Sequence, residues 1–375
     1  MQNMKKRSKS IFKKGIALLC MLSLITAMFT GCRLTADQVE DNDDKKKLSV
    51  VTTIFPQYDF VREIAGDLVN VQMLLKPGEE THSYEPTPQD IIAILHADLF
   101  IYVGGENDVW VEDILEMPEM ADVHTLRLVD CVDTLEEHEH ETTEECEEEH
   151  DHTDECVTEQ YEHTEELTLE EHEHAEELAS EEHVHTDECD HDEEGVHTFD
   201  EHVWTSPLNA VSITEHIAEE LSGLDKENAG AYRENCMLYT EKLKELDQAF
   251  RDVVENANYH TVLFGDRYPF KYFEEEYGLS HYAAFSGCAS DTEPSAAIMA
   301  YLIDKVEEEK IPVVLKMELS NESISQAIAE ATGTKVMVFN SCHNLSAEQF
   351  EAGEGYLSLM QENVNTLKEA LEIWH

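Results

Sequence analysis

Apolar positions in this chain fall into two stretches of alternating strand and helix pattern. Residues 48–54 (LSVVTTI) are β-branched and strand-like, and Phe60, Val61 and Ile64 then recur at helical spacing within 56–67. A second strand is predicted at 69–75, stopped by Pro77-Gly78. Pro88 opens a helix over 87–96, and 99–103 reads as a third strand. This βαβαβ order predicts a parallel sheet with helices on its faces. From residue 209 the pattern turns helical, with one helix at 210–221 and a long one at 226–256 that carries Leu238, Leu243 and Phe250. A helix of that length spans on the order of 45 Å, enough to act as a spine. The α/β rhythm then resumes. Strands are predicted at 261–264, 279–284, 313–316 and 335–339; helices are predicted at 268–277, after Glu293-Pro294-Ser295, at 323–332 and at about 353–373. The expected fold class is α/β: two parallel-sheet α/β lobes joined by a long rigid helix, with a cleft between the lobes where ligands favour binding.

Charge changes this picture in one place. The net charge of −58 argues against nucleic acid and anionic membrane surfaces as partners. Between Arg127 and Lys226 there is no Lys or Arg, and residues 136–194 hold 29 acids. With almost no large apolar residues, this segment cannot offset the entropy of ordering, so 136–199 is expected to be a disordered acidic, His-rich loop. The motif His-Thr-Asp-Glu-Cys occurs in it twice, ending at Cys156 and at Cys189. Its histidines include His138, His140, His150, His152, His172, His174, His183, His185 and His191, several in pairs one residue apart. A solubilising linker has no need of so many imidazoles. The composition points to weak, multiple, exchangeable zinc binding.

The N-terminus carries its own signal. Lys5, Lys6, Arg7, Lys13 and Lys14 precede an apolar stretch at 15–29 that is too short for a stable span, as expected of a signal peptide over 1–31. The run Phe29-Thr30-Gly31-Cys32 resembles the bacterial lipoprotein box, in which Cys32 would take the lipid. The mature protein is then expected outside the cytoplasm, anchored to the cell membrane, with 32–47 as a hydrophilic tether. The remaining divisions are an N-terminal lobe at 48–135, its end at 200–224, a linking helix at 225–257 and a C-terminal lobe at 258–375.

Three short runs carry the chemistry. Residues 77–90 read PGEETHSYEPTPQD, so His82 lies on a loop between a strand and a helix, stiffened by Pro86 and Pro88. Residues 200–209 read DEHVWTSPLN, with His202 in a short turn before a helix. Residues 340–346 read NSCHNLS, with His343 on a loop leaving a second-lobe strand. Three loop histidines drawn from both lobes suit a divalent ion closed in a cleft.

These runs, with Glu293-Pro294-Ser295, resemble the zinc-uptake solute-binding proteins of bacterial metal ABC transporters. The resemblance covers nearly all the predicted folded chain, and the acidic His-rich insert also recurs in that family. It implies a two-lobed fold with a helical backbone, and capture of extracytoplasmic Zn²⁺ for delivery to a membrane permease by a monomer that is not an enzyme. It also implies His82 as the first-lobe ligand and His202 as the second. Relatives take a third from the pattern His-x-Ala-Phe-x-Tyr, but here Gly265–Tyr272 reads GDRYPFKY and places Arg267, which cannot ligate, at that position. Asp266 is a candidate carboxylate instead. His343 falls where some relatives place a late acidic ligand, and would restore a third imidazole. Imidazole-rich ligation favours Zn²⁺, whereas Mn²⁺ sites lean on carboxylates and water. The alternatives are a manganese-binding protein of the same family and an extracellular zinc hydrolase, for which Glu80, Glu201 or Asp266 would have to serve as base. A surface metal sponge, with the loop as the function, is a further possibility. A disulfide between Cys288 and Cys342 would pin the His343 loop.

Overall fold

The β-branched run Leu48–Thr52 forms β1, the centre of a four-stranded parallel sheet in the computed structural model. That structure describes residues 47–79, 84–105, 108–136, 199–287 and 293–372. The sheet runs β2-β1-β3-β4, with β2 at Val69–Met73, β3 at Leu99–Tyr102 and β4 at His124–Arg127. Val50 pairs with Val71 on one side and Leu99 on the other, so the most apolar strands are buried inside the sheet. Three helices attach to it: α1 at Phe55–Ala65, α2 at Pro88–Leu95 and α3 at Val109–Leu115. Thr87 caps α2, its hydroxyl accepting from the Asp90 amide while the Asp90 carboxylate accepts from the Thr87 amide at 2.9 Å.

Two long helices follow. Helix α4 spans Pro207–Leu224, with Ser206 as its N-cap, and α5 spans Ala229–Asn256. At 1.5 Å per residue, the 28 residues of α5 extend about 42 Å. It packs on α4, on α1 and on the C-terminal helix α10, Tyr356–Ala370. One face therefore serves both lobes: Tyr239 of α5 meets Phe60 of α1, and Phe250 meets Phe273 of the second lobe with ring centroids 4.8 Å apart.

The second sheet repeats the first, in the order β6-β5-β7-β8 and again all parallel. Its strands are β5 at Thr261–Tyr268, β6 at Ser280–Ser286, β7 at Val313–Lys316 and β8 at Lys335–Val338. Helices α6 (Lys271–Tyr277), α7 (Ala296–Glu309), α8 (Ser323–Thr332) and α9 (Ala347–Ala352) complete the lobe. One apolar cluster runs through both lobes and the two long helices, with smaller clusters on the far face of each sheet. The two lobes thus share a core, which holds their facing loops in register.

Three departures from the predicted elements have clear causes. Strand β4 (HTLR) carries no strand signal in the sequence because it is a half-exposed edge without apolar alternation. Helix α3 follows Gly104-Gly105 in a stretch for which no element is predicted, since its apolar run is short. Strand β5 continues to Tyr268, where a helix is predicted, because its pairing with β6 shifts register between Phe264 and Arg267 and resumes beyond.

Candidate metal centre

Loops at the C-terminal ends of β3 and β8 lie against the turn before α4, as ligand sites of open α/β sheets do. His202 sits at the start of a single 3₁₀ turn, Val203–Thr205, and is fully buried. Asp200 holds it. One oxygen of that carboxylate, Oδ1, accepts from the His202 backbone amide at 2.8 Å and pairs with ring Nδ1 at 3.0 Å. Burial would raise Asp200, but the His202 charge and both hydrogen bonds outweigh it, with help from Lys271, and hold the carboxyl below the usual range.

The turn is tied to the second lobe. Trp204 donates its indole N–H to the Ser341 carbonyl at 2.9 Å, and Tyr356 donates to the Trp204 carbonyl at 2.7 Å. These bonds set His343 beside His202. The two ring centroids are 4.8 Å apart at 78°, with Trp204 edge-on to His343 at the same separation. On His343, Nδ1 contacts the Ser341 hydroxyl at 2.9 Å, and that hydroxyl donates to Glu318 at 2.7 Å. Burial pushes the Glu318 carboxyl up, against hydrogen bonds from Ser341 that favour the ionised form. A histidine that hydrogen-bonds through Nδ1 coordinates through Nε2, the usual arrangement at metal sites.

The predicted first-lobe ligand, His82, lies outside the described residues, as does Glu80. The chain leading to it is nevertheless fastened to the His343 loop. Asn344 donates to the carbonyls of Lys76 at 2.8 Å and Glu79 at 2.9 Å, and the Gly78 amide donates to the Leu345 carbonyl at 2.8 Å. Among the described residues alone, no group of three His, Cys, Asp or Glu side chains is arranged to hold a metal.

Beside His343 is a cavity of about 20 Å³, lined by Tyr84, Asp108, Glu201 and Trp204 among others. That is room for about one water or ion. Asp108 accepts from the amides of Val103 at 2.6 Å and Gly104 at 3.1 Å; burial, with Glu201 adding to it, pushes its pKa up to about 6. Glu201 is pressed against the Gly104-Gly105 turn: a Cβ on Gly105 would fall 1.9 Å from Glu201 Oε2. Two buried carboxyls around so small a space suit a cation.

Asp266, the candidate carboxylate ligand, is buried at the end of β5. Its carboxylate accepts from the Arg267 amide at 2.9 Å and the Met317 amide at 3.0 Å, stitching β5 to the end of β7. Cys342 is a free, fully buried thiol, which corrects the expected bridge to Cys288; Cys288 itself lies outside the described residues. The acidic loop histidines from His138 to His191, and Cys32, also lie outside them. An antiparallel bridge between Glu136 and Phe199 does join the two ends of that segment. Sequence reasoning missed Asp200, Asp108, Ser341 and Asn344 as parts of the site. Only Asp200 left a signal, its Asp-x-His spacing to His202.

Two α/β lobes on shared helices, with histidines from facing loops meeting between them, define a two-lobed binding protein of the cleft type. The family model for the zinc-uptake complex component A, periplasmic (ZnuA), matches residues 50–370, and the chain belongs to that family. The zinc-binding lipoprotein AdcA of Streptococcus pneumoniae strain R6 is 30% identical over 352 residues, 94% of this chain and 61% of AdcA. The chain thus spans about three fifths of the AdcA relatives it matches. The high-affinity zinc uptake system protein ZnuA of Bacillus subtilis is 28% identical over 366 residues, 96% of this chain and 99% of its own length. The crystal structure of the Zn(II)-bound ZnuA-like domain of S. pneumoniae AdcA superposes with a TM-score of 0.63 at 28% identity, covering 87% of this chain and 99% of the domain.

Proposed function

We propose that this protein captures Zn²⁺ outside the cytoplasm and delivers it to the permease of an ABC importer. The observation that carries this is the pair of buried imidazoles, His202 and His343, 4.8 Å apart and each held through Nδ1. His82, three residues beyond the Lys76–Glu79 segment held by Asn344, supplies the third nitrogen, and Glu201 or a water completes a tetrahedral shell. Three neutral imidazoles select zinc over manganese, and the acids around the cavity offset the charge of the ion. Membership of the zinc-uptake family and the zinc-binding names of its relatives support the same cargo.

The rest of the chain serves that capture. Residues 1–31 act as a signal peptide and Cys32 as the lipidated anchor, with 32–47 as tether. The lobes divide at 48–135 with 200–224, and at 258–375, around the helix over 225–257. The acidic segment at 136–199 collects zinc weakly near the cleft. The protein works as a monomeric binder without turnover.

Zinc titration against a chromogenic chelator tests the assignment. Wild-type protein is expected to hold one tight ion, and His82→Ala, His202→Ala and His343→Ala each to weaken it by at least the 10–100-fold typical of lost outer-sphere partners. Retention of the tight ion in a His202→Ala, His343→Ala double variant would refute the cleft site.

A further inference from the structure

Ser341 has one hydroxyl proton and two acceptor lone pairs, and three neighbours compete for them. The Glu318 carboxylate lies 2.7 Å from Ser341 Oγ through Oε1, while Oε2 accepts from the Ser341 amide at 2.6 Å. The His343 amide points to the same Oγ at 3.4 Å and can only donate. His343 Nδ1 is the third neighbour, at 2.9 Å. With the hydroxyl proton given to Glu318 and one lone pair taken by the His343 amide, the remaining lone pair faces Nδ1. Nδ1 must therefore carry the proton. The neutral ring then has its lone pair on Nε2.

We propose that Glu318, acting through Ser341, fixes the tautomer of His343 so that Nε2 is the zinc-binding nitrogen. This rests on the assignment of His343 as a ligand. Glu318 is a positioning residue: it sets which nitrogen meets the ion without touching it. His202 reaches the same tautomer directly, from Asp200 Oδ1. The two imidazoles that meet in the cleft are thus prepared alike, one by an acid and one by an acid through a hydroxyl. The backbone around the relay is held in uncommon conformations. Of three non-glycine residues with left-handed φ among those described, Leu319 (φ 59°) follows Glu318 and Cys342 (φ 60°) separates Ser341 from His343. Such conformations persist where surrounding structure enforces them, and they cluster at functional sites. Here the turn at Cys342 brings the Ser341 hydroxyl back onto the ring and amide of His343.

The test is the ring ¹⁵N spectrum of the full, metal-free protein with labelled histidine, paired with zinc competition. Wild-type His343 is expected as the Nδ1–H tautomer; a wild-type Nε2–H ring would overturn the proposal without any variant. Glu318→Gln reverses the relay. The Ser341 amide still requires an oxygen, so the Gln NH₂ faces Oγ, and the hydroxyl proton turns toward Nδ1. His343 should switch to Nε2–H while His202 keeps its tautomer, and zinc affinity should fall about 10–100-fold. Adding Glu318→Gln to Ser341→Ala should cost no further affinity, because the acid acts only through the hydroxyl. An unchanged His343 tautomer in Glu318→Gln, or unchanged zinc affinity while His343→Ala destroys binding, would overturn the relay and leave the ligand assignment standing. Tight zinc retained by His343→Ala would instead sink the ligand assignment.

Discussion

Asp200 shows how a single carboxylate can hold an imidazole for the proposed zinc site. Its Oδ1 fixes both the backbone amide and the ring of His202. Asparagine keeps an acceptor oxygen in that place but loses the charge that makes the ring a stronger donor to a cation; alanine loses both. We expect Asp200→Asn to weaken zinc about 10-fold and Asp200→Ala nearer 100-fold, measured by competition with a chelator, with the fold kept in both. Glu201, one residue further on, faces the small cavity beside His343. Neighbouring acids in one short run therefore take different tasks, and their identity alone does not say which. The same holds for Asp266, whose position beside Arg267 suggests a ligand and whose carboxylate is spent on two backbone amides.

At the scale of elements, the site depends on short turns that leave little room. Gly104-Gly105 follows β3 and lies against Arg127 and Glu201. In Gly105→Ala the new methyl would fall 2.3 Å from Glu201 Cβ, close to the backbone and not at a flexible tip. We expect it to cost about 1–3 kcal/mol in urea unfolding and to weaken zinc by displacing Glu201. Gly223→Ala, in α4 with nothing within 4 Å of the added Cβ, should instead be neutral or stabilise by about 0.5–1 kcal/mol. Elements whose own faces are buried were legible in the sequence: β1, β3 and β7 as apolar runs, α8 over the residues predicted. Those whose burial depends on neighbours were not. Among the described residues strand β4 pairs only with β3, and the tail of β5 is a strand because β6 resumes pairing after a register shift.

Across the whole molecule, the shared core carries a buried acid whose titration should be visible in stability. Burial raises Asp59 to about 6 from 3.8, over the opposing Arg62 charge and a hydrogen bond from the Tyr356 amide. A carboxyl raised on folding contributes its stability below the unfolded value and loses it as pH climbs through the folded one. Between pH 3.8 and about 6 the wild type should therefore lose about 3 kcal/mol from this group. Asp59→Asn cannot titrate. Its unfolding free energy relative to wild type should rise by up to that amount from pH 4 to 7, by denaturant titration at each pH. The acidic segment makes a second prediction at this scale. Since Glu136 and Phe199 are bridged and the Asp200 amide donates to the Leu135 carbonyl at 3.0 Å, residues 137–198 leave and return at one point. Replacing them with an Asn-Gly turn should leave a folded protein that holds one tight zinc and loses the weaker ions, by metal analysis after dialysis.

The main alternation of strands and helices, the repetition of an α/β lobe on either side of a long helix, and three loop histidines can be read from the residues alone, whereas β4, α3 and the tail of β5 cannot. Periodicity records which face of each element is buried, and proline and capping residues record where it stops; both are local. Tertiary contacts alone bring His202 and His343 together, set Asp108 and Glu201 around a cavity with one of them, and leave Cys342 a free buried thiol. Those outcomes rest on bonds between distant parts of the chain. Trp204 reaches Ser341 across 137 residues and Asn344 reaches Lys76 across 268, and both are placed by a core that the two lobes build jointly.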